Sequence, residues 1–108
     1  MVSSQVVVRG GPDRRLSPRV RASVDTVMHS AGVATRSPCR IIDISAGGAR
    51  LRLYEILAPE TSIQLALPGG MVDARIVWAD GREAGCRFER PVDQTMIDLV
   101  LAKQRGAE

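Results

Sequence analysis

Two short segments combine residue types that bind flat, polar or anionic groups. The segment RRLSPR (residues 14–19) contains Arg14 followed by the pair Arg15 and Arg19, and DISAGG (residues 43–48) has the pattern Asp-x-Ser-x-x-Gly. An arginine fork binds a phosphate or a base edge through two parallel hydrogen bonds, whereas an ionised aspartate only accepts them. Together these groups can recognise a ligand that carries both donors and acceptors.

The second segment offers two polar side chains, on Asp43 and Ser45, and two residues without side chains, Gly47 and Gly48. The Ser45 hydroxyl can donate or accept. We expect the glycines to allow a turn with positive φ and to let a flat group approach the backbone. A simpler interpretation remains open, in which the aspartate and serine bind their own turn backbone and the arginines form a solvated basic arm.

The charge is distributed unevenly along the chain. Residues 1–52 hold nine arginines against three acids, a charge of +6, and residues 53–108 hold six basic against nine acidic side chains, a charge of −3. A basic half beside an acidic half indicates an anionic ligand at one face. Nearly all the basic residues are arginine, which favours bidentate recognition of phosphate or a base edge.

The elements that position these residues follow from the apolar periodicity. Period-2 alternation predicts six short strands over residues 20–28, 34–44, 49–53, 62–67, 71–79 and 84–89. In the third strand, Ala49, Leu51 and Leu53 should point inward, and Arg50 and Arg52 outward. Strands of this length and spacing predict a mainly β fold, a six-stranded antiparallel small barrel with a C-terminal α-helix.

The two ends of the chain differ from the strand region. Residues 1–13 lack an apolar pattern and are predicted to form a flexible arm, with the folded domain over residues 14–108. A helical period begins near Asp93, which can cap the helix, and Gly106 can end it. Its predicted stripe consists of Met96, Leu99, Val100 and Lys103.

Several function classes are not expected. No apolar run approaches the roughly 20 residues that span a bilayer, and the first residues do not resemble a signal peptide, so we expect a cytoplasmic protein. Cys39 and Cys86 lie in apolar segments that are predicted to be strands, and both are predicted to be buried, reduced thiols. With His29 as the sole histidine, neither a zinc site nor a triad around Ser45 can be assembled.

The order of the motifs resembles that of the PilZ family, bacterial receptors of cyclic-di-GMP. The resemblance rests on the pair Arg15 and Arg19, on the segment DISAGG, on IVW at residues 76–78 and on a Gly-x-x-Phe strand at residues 85–88. It extends over about residues 14–104. It implies a six-stranded barrel with a C-terminal helix. We expect a stand-alone receptor and adaptor, without catalysis or cofactor, that relays the second messenger to a partner protein.

The resemblance also implies a binding site. Its predicted residues are Arg14, Arg15, Arg19, Asp43, Ser45, Gly47, Gly48 and Trp78. An arginine at the position of Arg14 is associated in such proteins with a stacked pair of ligands, so two cyclic-di-GMP molecules per chain are expected. Trp78 either contacts a base or packs in the core.

Two other functions fit the same sequence less well. One is a PilZ-like barrel that binds only proteins, which the complete set of motif residues argues against. The other is a small-barrel RNA binder, which the basic half favours. Its weakness is that Phe88, Trp78 and Tyr54 are the only aromatic residues, too few for a series of stacked bases.

Overall fold

A computed structural model describes residues 18–30, 32 and 36–106 of the chain. They form six strands and one helix, which are β1 (Val20–Ser30), β2 (Ser37–Ile44), β3 (Gly48–Leu53), β4 (Ser62–Leu67), β5 (Gly70–Asp80), β6 (Glu83–Phe88) and α1 (Gln94–Gly106). The predicted fold class is confirmed. The predicted boundary at residues 13 and 14 lies outside the described residues, and β2 begins at Ser37, three residues later than predicted.

The strands close into a barrel in the order β1-β2-β3-β6-β5-β4, and every neighbouring pair is antiparallel. The last pair joins β4 back to β1 through Met28 and Leu65, His29 and Gln64, and Ser30 and Ile63. Closure pairs the strand edges that an open sheet would expose. The residues of the candidate site therefore lie on a continuous outer surface.

Aliphatic side chains fill the barrel. Ala49, Leu51 and Leu53 are buried, as the alternation predicts, and they meet inward residues of every other strand together with Phe88. With so few aromatic residues, the core depends on close packing of aliphatic side chains. In such a core, a change of one methylene in side-chain volume alters stability. The barrel is therefore a rigid base for the surface residues.

Cys39 and Cys86 are both free and buried inside the barrel, as predicted. Burial raises the pKa of Cys39 to about 12 and that of Cys86 to about 11. Both thiols therefore stay protonated at neutral pH and behave as small apolar core residues.

The helix α1 packs against β1. Asp93 caps it, since its Oδ1 accepts a hydrogen bond from the Met96 backbone N–H at 3.0 Å. The predicted stripe is wrong in two members, because Leu99 is 44% exposed and Lys103 is also exposed. The buried face is formed by Ile97 and Val100, whose spacing puts them one turn apart on the same side.

No helix among the described residues is long and apolar enough to cross a membrane.

Candidate functional site

Asp43 reaches the outer face of the barrel because of a β-bulge. Ile41 pairs with Leu51 and Asp43 with Arg50, so Ile42 is an extra residue on β2 without a partner on β3. In a regular strand Asp43 would point inward, as Ile41 does, because side chains alternate with period 2. The bulge shifts this alternation by one residue and places Asp43 on the same face as Arg50.

The Asp43 carboxylate lies between two arginines. Its Oδ1 accepts a hydrogen bond from Arg19 Nη1 at 3.1 Å, and its Oδ2 lies 3.0 Å from Arg50 Nε. The second contact is an ion pair by distance only, since the Arg50 Nε–H is buried and is not aligned with any acceptor of the described residues. The carboxylate is therefore paired with two guanidinium groups, a net charge of +1 for the three side chains, and it retains free acceptor positions.

Asp43 is much more buried than its two arginine partners. The Asp43 side chain is 8% exposed, whereas Arg19 is 61% and Arg50 39% exposed. Asp43 and Ser45 are the buried polar residues of the described chain. A buried carboxylate interacts more strongly with charges and donors than a solvated one, because less water screens it. This makes Asp43 the strongest fixed acceptor on this surface.

The turn that follows Asp43 is held by backbone hydrogen bonds. The Ser45 N–H donates to the Gly48 carbonyl at 2.8 Å, which closes the turn. Two further backbone hydrogen bonds hold the turn from β6 and the segment after it. The Phe88 N–H donates to the Gly47 carbonyl and the Val92 N–H donates to the Ala46 carbonyl, each at 2.8 Å. Three backbone hydrogen bonds therefore hold this turn in a fixed position next to Asp43.

The Ser45 hydroxyl makes one weak contact. Its Oγ lies 3.4 Å from the Gly48 carbonyl oxygen, near the upper limit for a hydrogen bond. Its lone pairs are free to accept from another group.

Our expectation that Gly47 and Gly48 provide positive φ is wrong, because neither has positive φ. Gly48 is required for a different reason. A Cβ there would lie 2.2 Å from the Cys86 carbonyl oxygen and 3.3 Å from the Arg87 Cα, so β3 and β6 approach too closely for a side chain. Gly47 has open space where a Cβ would be, which leaves its backbone accessible to a flat ligand.

Trp78 is also brought to the outer face by a bulge. Ile76 pairs with Cys86 and Trp78 with Gly85, so Val77 is the extra residue on β5. Trp78 is 38% exposed, and the core alternative is wrong. Its indole lies over Gly85, where a Cβ would come within 2.1 Å of Nε1. Because Gly85 has no side chain, the ring can lie close to the sheet.

These residues form one continuous row across five strands. Arg21, Asp43, Arg50, Gly85 and Trp78 are successive cross-strand partners on β1, β2, β3, β6 and β5. We call this row the outer strip. Its four strand spacings cover about 19 Å at roughly 4.8 Å each. One end of the strip is charged and the other is aromatic, which suits a ligand with both phosphates and bases.

Sequence reasoning missed part of the strip. Alternation placed Arg50 outward but did not show that it contacts Asp43. The Gly-x-x-Phe motif included Gly85 but did not show that Gly85 lies under the ring of Trp78. The signal for both lies in strand register, which a single sequence does not contain. Arg14 and Arg15 lie outside the described residues, so among the arginines of RRLSPR the structure describes Arg19 alone.

One groove on the described surface, of about 770 Å³ and lined by residues 71–73, 89–93 and Met96, does not include the outer strip. A smaller groove of about 260 Å³ lies next to the strip and is lined in part by Val77 and Arg87. Among the described residues, no group of three or more His, Cys, Asp or Glu side chains could hold a metal ion. The strip can therefore offer charge, hydrogen bonds and a stacking surface to a ligand.

A comparison with protein families decides the classification. The family model of the PilZ domain matches residues 13–102, which include every element of the barrel and most of α1. The chain belongs to the PilZ family. PilZ domains are in general receptor domains for cyclic-di-GMP, and they bind ligands and effectors instead of catalysing reactions.

A solved PilZ structure has the same fold. The crystal structure of the PilZ domain of CeSA from a cellulose-synthesizing bacterium is 20% identical in sequence, with a TM-score of 0.56, and the match covers 84% of this chain and 98% of that one. Similarity at this level establishes the fold alone. The search of curated proteins found no match.

Proposed function

We propose that this protein is a cyclic-di-GMP receptor that relays the second messenger to a partner protein. The observation that carries the proposal is the buried Asp43 carboxylate, held between Arg19 and Arg50 beside the open backbone of Gly47. This places a fixed acceptor and two arginine forks on one accessible surface.

Guanine matches these groups. Its N1 and N2 are donors that need an acceptor, and its O6 and N7 form an acceptor pair that an arginine fork fits bidentately. An ionised carboxylate has about four acceptor positions, so Asp43 can keep Arg19 on Oδ1 and still accept from guanine. Ser45 can add one further hydrogen bond. Asp43 selects guanine in this arrangement, because adenine has no amino group at C2 and its N1 is an acceptor, so it offers this carboxylate no pair of donors.

The other end of the strip suits the flat face of a base. Trp78 is partly exposed and rests on Gly85, so its ring is held without being covered. Base stacking on an aromatic ring is worth about 1 to 3 kcal/mol per base. In this proposal Trp78 stacks on one guanine and Asp43 binds the edge of another.

The relay and the location complete the proposal. In this proposal the ligand contacts both the arginines of RRLSPR and the strip, and an effector protein recognises the surface that they form together. The buried, free cysteines fit a reducing compartment, so we place the protein in the cytoplasm.

Calorimetric titration with cyclic-di-GMP tests this function. We expect saturable binding, with no binding of GTP or of a short single-stranded RNA at the same concentrations. GTP carries guanine and phosphates but not the second base for Trp78. Binding of the RNA alone would support the RNA-binding alternative, and binding of none of the three would support a barrel that contacts only proteins.

The same titration gives the stoichiometry. We predict two cyclic-di-GMP molecules per chain, because Arg14 can neutralise a phosphate of a second ligand while stacking on its base. Arg14→Leu should bind one molecule and retain the contacts of Arg15 and Arg19. A wild-type endpoint of one ligand per chain, unchanged in Arg14→Leu, contradicts the stacked pair.

A further inference from the structure

Arg87 lies beside the ligand turn on the outer face of the barrel. It is the cross-strand partner of Gly48, and it follows Gly85 by two residues on β6. Residues two apart on a strand share a face, and their rows are about 7 Å apart. Arg87 therefore belongs to the row next to the outer strip, and because Gly48 has no side chain, nothing on β3 covers its guanidinium from that side.

The two acids beside Arg87 form ion pairs with its neighbour Arg75 and not with Arg87. On its other side Arg87 pairs with Arg75 of β5, so two like charges are directly opposed. Arg75 has acidic partners, with Nη1 3.6 Å from Glu60 Oε1 and Nη2 3.8 Å from Glu89 Oε2. Within residues 18–30, 32 and 36–106, none of the ion pairs includes Arg87.

Both acids lie within 4 Å of Arg75, so the like charge opposite Arg87 is already compensated. Arg87 itself is exposed and lies adjacent to Gly47 and Gly48. Its guanidinium is therefore accessible, and an anion bound there would gain charge-assisted hydrogen bonds.

We propose that Arg87 is a phosphate-binding residue of this site and contacts the phosphodiester of cyclic-di-GMP while Asp43 holds a guanine. The proposal rests on the proposed function and adds a contact from β6 to it. The guanidinium is well suited to this contact, because its planar fork matches two phosphate oxygens. The ligand then spans β2, β3 and β6 and is held by residues of three strands.

The test compares two arginines of β6 and its preceding turn. Arg82 is exposed like Arg87 but lies at the opposite end of β6, and its backbone carbonyl, which accepts from Leu53 N–H, is retained in any variant. Binding of cyclic-di-GMP is measured by calorimetry for Arg87→Ala, Arg87→Glu, Arg82→Ala and Arg82→Glu, at low and at high salt.

We expect Arg87→Ala to weaken binding about fivefold at low salt, with a smaller loss at high salt because screening weakens the contact. Arg87→Glu should weaken it further, since the new carboxylate would repel the phosphate that the arginine attracts. Both Arg82 variants should bind within about twofold of wild type, as exposed charges remote from a ligand contribute little.

The outcomes separate the two proposals. Wild-type affinity in both Arg87 variants, together with a loss in Asp43→Ala, overturns the role of Arg87 and leaves the receptor function intact. A lower thermal midpoint in both Arg87 variants, with an equal loss of affinity in the Arg82 variants, also overturns it, because the effect is then structural or purely one of net charge. No binding by the wild type overturns both proposals.

Discussion

Asp43→Ala is expected to weaken cyclic-di-GMP binding by about 1 to 3 kcal/mol, which is roughly 5- to 150-fold. The variant removes the acceptor for the guanine N1 and N2 donors, and it also frees Arg19 and Arg50 from the carboxylate that positions them. Arg19→Ala should have a loss in the same range, because it removes the fork that fits O6 and N7. Calorimetry measures both.

The barrel should remain folded in these variants. Arg19 and Arg50 are 61% and 39% exposed, so water can solvate their charges once Asp43 is gone. Circular dichroism and the thermal midpoint check this point. A variant that unfolds would instead show that the pair holds the start of β1 to β2.

A second arginine–aspartate pair on the same strands provides the control. Asp25 of β1 accepts from Arg40 Nε of β2 at 2.9 Å, and this hydrogen bond lowers the pKa of Asp25. The pair is exposed. Asp25→Ala should retain wild-type affinity, and so should Arg36→Ala, which removes an exposed arginine just before β2. Equal losses in Asp25→Ala and Asp43→Ala, or full affinity in Arg19→Ala, contradict the assigned site.

Gly48→Ala is expected to lower the free energy of unfolding by about 1 to 3 kcal/mol, the usual cost of overpacking. The new Cβ would lie 2.2 Å from the Cys86 carbonyl oxygen and 3.2 Å from its carbonyl carbon. Both atoms belong to the backbone of β6, so the strands must separate and their hydrogen bonds lengthen. Chemical denaturation measures the loss, and the thermal midpoint should fall by roughly 5 °C or more.

Gly47→Ala is the matched control for this change. Its Cβ meets nothing within 4 Å, and Gly47 does not have positive φ. Alanine there should leave the free energy of unfolding unchanged or raise it by about 0.4 to 1 kcal/mol, because alanine reduces the conformational entropy of the unfolded chain. Its methyl group should nevertheless weaken cyclic-di-GMP binding, since it occupies the open side of the turn. Equal stability in both variants contradicts the close approach of β3 and β6.

The architecture was predictable because its signals are local. Alternating apolar residues such as Ala49, Leu51 and Leu53 mark a strand with one buried face, and the same physics selects the inward side in the structure. The cap at Asp93 follows from a side-chain bond to a residue three positions on. The helix face was less predictable, because Leu99 and Ile97 are both apolar and the neighbouring strand selects which one is buried.

What the sequence by itself determined is the set of residue types that the site uses and the strands and turn that carry them. Tertiary structure alone decided which way two of them point, because single extra residues at Ile42 and Val77 reverse the alternation and turn Asp43 and Trp78 outward. A bulge is defined by the partner strand, so local patterning does not reveal it. Register likewise brought Arg50 to Asp43, Gly85 under Trp78 and Arg87 beside Gly48, since barrel closure sets which distant residues become neighbours.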